Sequence, residues 1–79
     1  MDIISAHTHS ALHRDVIKAS DECGCFHCLA VYPPSDITQW VDEDQTAVCP
    51  RCGIDAVVGS ASGVPLTREF LEAMCGYWF

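Results

Sequence analysis

Two Cys-x-x-Cys pairs, Cys25/Cys28 and Cys49/Cys52, stand 20 residues apart in this chain, and no other feature narrows its folding so far. Each pair can bite a metal from a tight turn, and folding back of the intervening residues brings the pairs together. C-x2-C-x20-C-x2-C spacing sits at the edge of the range for structural zinc sites. At 79 residues the chain has room for one domain and buries a smaller share of its surface than a larger domain would. A staple is therefore expected, either a disulfide or a metal.

The redox compartment decides between the two. Met1-Asp-Ile-Ile-Ser-Ala-His is not a basic start followed by a long apolar run, and no apolar run approaches membrane length. The expectation is a cytoplasmic protein without a membrane segment. Thiols stay reduced there, so the six cysteines point to metal ligation. The expected ligands of one structural Zn²⁺ are Cys25, Cys28, Cys49 and Cys52. Four sulfurs fill the tetrahedron and leave no position for water, which argues against an enzyme.

Eleven Asp and Glu against four Lys and Arg give a net charge of −7. Four thiolates around one divalent ion add about −2 more. Such a molecule repels a phosphate backbone unless its cations share a face. His13, Arg14 and Lys18 form the one weak basic grouping, and a nucleic-acid module using that face is an alternative function. A protein partner is the first expectation.

In chain order, Ser5 to Ser20 reads as a helix with Leu12, Val16 and Ile17 on its apolar side. Residues 1–22 are an N-terminal helical segment and 23–79 a zinc-binding core with a C-terminal helix, one domain overall. Gly24 suits a sharp turn between Cys23 and Cys25. Leu29 to Tyr32 reads as a strand ended by Pro33-Pro34. Ser35 caps a short helix to Asp42, with Ile37, Trp40 and Val41 on one face and Trp40 as lid of the core. Asp42-Glu43-Asp44 is a solvated turn, and Thr46 to Val48 a return strand that forms a hairpin with the first.

In Cys49-Pro50-Arg51-Cys52-Gly53, proline fixes φ early and Gly53 can take positive φ, aiming backbone N–H groups at the thiolates. Leu29 stands where this knuckle has Gly53, so the first turn is expected to be less regular. Ile54 to Val58 is ambiguous between strand and helix, and Gly59 to Gly63 is the most flexible stretch. Thr67 caps a last helix with Leu66, Phe70, Leu71, Met74 and Trp78 along one stripe. Gly76 ends that helix and leaves Tyr77-Trp78-Phe79 as an aromatic tail.

Several constellations compete with the four paired thiols. Cys23 and His27 are possible substitutes in the first knuckle, and Cys23, as a spare thiol, makes a zinc-linked redox sensor a further alternative. Cys75 reads as a core thiol. His7, His9 and His13 have the spacing for a second metal, but no carboxylate is placed to complete the set. Ala6-His7-Thr8-His9-Ser10 imitates the first metal motif of a barrel hydrolase, yet such a barrel needs about 250 residues. An HNH-type nuclease needs a histidine on the hairpin, and none lies between Cys28 and Cys49.

With these motifs assembled, the chain resembles a family of small uncharacterised bacterial proteins that share four segments. Here they are Cys-Gly-Cys-Phe-His-Cys at Cys23 to Cys28, Pro-Pro-Ser-Asp-Ile-Thr-Gln-Trp at Pro33 to Trp40, Cys-Pro-Arg-Cys-Gly-Ile-Asp at Cys49 to Asp55, and Leu66 to Leu71. The resemblance implies a cytoplasmic, zinc-stabilised α+β domain, a zinc-ribbon or treble-clef-like hairpin with N- and C-terminal helices. It implies no activity. Neither the oligomeric state nor the choice between zinc and iron follows from the sequence.

Overall fold

The first knuckle is the turn of a hairpin. In a computed structural model that describes residues 2–79, β1 (Cys23–Cys25) pairs antiparallel with β2 (Val31–Tyr32), Cys23 opposite Tyr32 and Gly24 opposite Val31. On its other side β1 pairs antiparallel with β5 (Val57–Gly59), which gives the order β2-β1-β5. Residue 1 of the N-terminal segment lies outside the described residues. Gly24 is thus central strand and not the expected turn. Its smallness serves packing, since a Cβ there would stand 3.2 Å from Leu66 Cδ2 and 3.3 Å from Leu71 Cδ1.

The segment expected as a helix from Ser35 to Asp42 is a 3-10 turn, Pro34–Asp36, followed by extended chain into β3 (Trp40–Val41). Pairing decides the outcome: β3 lies antiparallel to β4 (Thr46–Ala47), with Trp40 opposite Ala47 and Val41 opposite Thr46. The two strands expected to pair with each other therefore belong to different sheets. Asp42, Glu43 and Asp44 make the turn with φ of 54°, 58° and 68°, exposed as expected. Trp40 is half-buried against the core, with the Arg14 guanidinium 4.6 Å from its ring centre.

The expected helix from Ser5 to Ser20 is broken into α1 (Ile3–His7), a 3-10 turn at Thr8–Ser10, and α2 (Arg14–Ala19). At the break Leu12 takes φ 51° and is 72% exposed. The chain turns aside there to bond to the second hairpin. Leu12 N–H donates to Thr46 Oγ1 (2.9 Å) and His13 N–H to the Gln45 carbonyl (2.7 Å). Ala47 N–H donates to His13 Nε2 (3.1 Å), and His13 Nδ1 lies 2.6 Å from the His9 carbonyl. The buried ring is therefore neutral with its proton on Nδ1. Beyond it, Ile17 carries α2 onto β5, where a Cβ at Gly59 would stand 3.2 Å from Ile17 Cδ1.

The Gly59 to Gly63 stretch is not loose. Ser60–Ser62 forms a 3-10 turn fastened by Ser60 N–H to the Glu22 carbonyl (2.9 Å) and Ala61 N–H to Ser20 Oγ (3.0 Å). Ser20 Oγ in turn donates to the Val16 carbonyl (2.7 Å). The last helix, α3 (Arg68–Trp78), starts as expected, with Phe70 N–H donating to the Thr67 hydroxyl (3.2 Å). Leu71 and Met74 are its buried residues. It does not stop at Gly76 but runs on to Trp78, and a Cβ at Gly76 would meet nothing within 4 Å. The end of α3 meets α1: Trp78 Nε1–H donates to the Ile3 carbonyl (3.3 Å), and its ring stacks on His7 at 4.0 Å. No helix among the described residues is long and apolar enough to cross a membrane.

Candidate metal centre

The two knuckles have the same backbone. Leu29 N–H donates to the Cys25 carbonyl (2.8 Å) and Gly53 N–H to the Cys49 carbonyl (3.0 Å). Cys25 N–H reaches the Ala30 carbonyl and Cys49 N–H the Ile54 carbonyl, both at 3.0 Å. His27 N–H points at Cys25 Sγ and Arg51 N–H at Cys49 Sγ, both at 3.4 Å. Leu29 and Gly53 share the left-handed conformation, with φ of 66° and 78°. The first turn is therefore as regular as the second, against expectation. Leu29 is half-buried against the core, and that contact offsets the strain of a side chain at positive φ.

These turns bring the Sγ atoms of Cys25, Cys28, Cys49 and Cys52 within 4.8 Å of one another. Cys25 Sγ lies 3.7 Å from Cys52 Sγ, and Cys28 Sγ 3.7 Å from Cys49 Sγ. A tetrahedral ion with metal–sulfur bonds of about 2.3 Å separates its sulfurs by roughly 3.8 Å. The four cysteines can hold one metal ion. In each knuckle the first cysteine is buried, while Cys28 is exposed and Cys52 half-exposed.

The thiols differ electrostatically. Burial pushes the Cys25 and Cys52 thiols up from the ordinary value. Burial acts the same way on Cys49, but the Tyr32 hydroxyl and the amides of Cys52 and Arg51 outweigh it and bring that thiol down to about 7. Of these three, Cys49 is the sulfur most ready to ionise and receive a cation.

Neither Cys23 nor His27 joins the four clustered sulfurs. Cys23 is wholly buried in β1, its thiol pushed up to about 11 by burial, and it is not among the four clustered sulfurs. A buried thiol of that kind is a poor attacking group for the redox-sensor alternative. His27 is exposed, with its ring edge-on to Phe79 at 4.6 Å, and Cys75 is half-buried with Sγ 3.6 Å from the His27 carbonyl.

His7, His9 and His13 do not join a ligand cluster, because His13 is committed to His9 and Ala47 and His7 to Trp78. The expected basic face also loses members: His13 is buried, and Arg14 donates to the Asp44 carbonyl (2.9 Å). Sequence reasoning missed Tyr32 as a neighbour of the cluster. Nothing in a strand-like Leu-Ala-Val-Tyr run signals it, since the contact arises from pairing between β1 and β2. Comparison with protein-family models, curated proteins and solved structures yields no match.

Proposed function

We propose that the chain is a cytoplasmic single-zinc domain in which Cys25, Cys28, Cys49 and Cys52 are the ligands and the ion serves structure, not catalysis. The observation that carries this is the 3.7 Å sulfur spacing across the two knuckles, the edge of a zinc–thiolate tetrahedron. A soft all-sulfur set suits zinc or iron and disfavours oxygen-seeking ions. Both pairs lie in knuckles and α3 begins well after Cys52, which favours a zinc ribbon over a treble clef, where a helix start supplies the second pair. Saturation by sulfur leaves no position for a reacting water, and the module works by presenting surface to a protein partner. Ile4, Tyr77 and Phe79, exposed at 58%, 55% and 62%, form the apolar part of that surface beside the contact of α1 with α3.

Native mass spectrometry tests the centre directly. One zinc per chain is expected, lost with Cys→Ser at positions 25, 28, 49 or 52 and kept with Cys23→Ser and Cys75→Ser. Chelation should melt the fold in the same experiment, because metal binding and folding are coupled in domains of this size. A chain that stays folded with all its thiols free would refute the proposal.

A further inference from the structure

Among the described residues, the hydroxyl of Tyr32 is the buried side-chain polar group left without a hydrogen bond. Tyr32 is 3% exposed, and its Oη is buried with no hydrogen-bond partner among the described residues. Phenylalanine would fill the same space without stranding a donor, so the oxygen is costly unless something completes its bonding. The sheet shows what lies nearby. Tyr32 stands opposite Cys23, and alternation along β1 puts Cys23 and Cys25 on one face. The ring thus runs along the face that ends at the sulfur cluster, where Cys49 is the thiol the hydroxyl acts on electrostatically without a hydrogen bond between them.

The two knuckles supply matching amide donors to Cys25 and Cys49, so the hydroxyl is the point at which their symmetry is broken. A protonated thiol is a weak acceptor, whereas a metal-bound thiolate is a strong one. Four thiolates on a divalent ion carry excess negative charge that donors to sulfur disperse.

We propose that Tyr32 is a positioning residue of the metal centre, its O–H donating to the metal-bound sulfur of Cys49. This rests on the four-cysteine assignment above. Donation withdraws electron density from sulfur, so it tightens the centre and raises the energy of sulfur-to-metal charge transfer.

The test compares wild type with Tyr32→Phe, each loaded with Co²⁺ for absorption and with Zn²⁺ for chelator competition. Tyr32→Phe should bind zinc about tenfold more weakly and shift the sulfur-to-cobalt band to longer wavelength. A 3,5-difluorotyrosine at position 32, a stronger donor, should shift the band the other way, and it decides the matter if Tyr32→Phe does not hold cobalt. An unmoved band in these variants overturns the proposal even if thermal stability changes, since mere packing alters stability without touching the chromophore. Wild type without a tetrahedral thiolate spectrum would instead defeat the four-cysteine assignment itself.

Discussion

Gly53→Ala isolates the cost of one backbone angle at the metal site. Gly53 has φ +78°, and a Cβ built there meets nothing within 4 Å. The added methyl therefore neither collides nor packs, and the penalty is that of an L-residue in the left-handed region, about 1–2 kcal/mol, less about 0.5–1 kcal/mol because alanine loses less entropy on folding than glycine. The net of about 1 kcal/mol corresponds to roughly a fivefold loss in zinc affinity, if the knuckle is ordered only with metal. If the knuckle forms first, it becomes a fall in melting temperature of about 4–8 °C per kcal/mol for a domain of this size. Leu29→Gly is the control at the equivalent position, φ 66°. Strain relief there is offset by the lost contact of a half-buried leucine, about 1 kcal/mol, and by the entropy of glycine, about 0.5–1 kcal/mol. It should stay within about 1 kcal/mol of wild type. Chelator competition and calorimetry read both variants. Unchanged affinity and melting in Gly53→Ala, or an equal loss in Leu29→Gly, would refute the equivalence of the turns and the offset assigned to Leu29.

Two further outcomes follow from the packing of the N-terminal segment. Gly59→Ala drives a methyl into Ser20 Oγ, the atom that bonds Val16 and Ala61, and should cost about 3 kcal/mol by combining overpacking with one or two broken hydrogen bonds; a urea midpoint close to wild type would contradict that placement of α2. Burial holds the His13 imidazole below its ordinary 6.5, against the weaker upward pull of the His9 carbonyl, so the unfolded chain binds a proton more readily than the folded one. His13 should then contribute its full stability above about pH 6.5 and lose it as pH falls through 6.5 toward the lower folded value. The melting temperature of wild type should drop more steeply from pH 7.5 to 5.5 than that of His13→Gln, and parallel slopes would sink the assignment of a neutral ring.

What the sequence discloses here is local. Cys-x-x-Cys spacing, Gly53 after the second pair and Thr67 before an apolar stripe each act within a few residues, and the structure places each accordingly. What it conceals is the choice between local options that distant partners decide. Ile37, Trp40 and Val41 suit a helix or a strand over so short a run, and Thr46–Ala47 settles it for strand. The break at Leu12 depends on Thr46, Gln45 and Ala47, far along the chain. A Gly-Ser-Ala-Ser-Gly run has the composition of a linker, yet Ser60 and Ser62 spend their hydroxyls on backbone, a use composition does not reveal.

The unequal burial of the sulfurs gives the centre an inside and an outside. Cys25 and Cys49 are rooted in the core, whereas Cys28 and Cys52 meet solvent at the rim. Were an ion held by all four sulfurs, a competing thiol or chelator would approach from that rim and would displace Cys28 or Cys52 before it reached the inner pair. Ion exchange would then be an ordered, stepwise event, with the half-released ion still moored by the two deeper sulfurs.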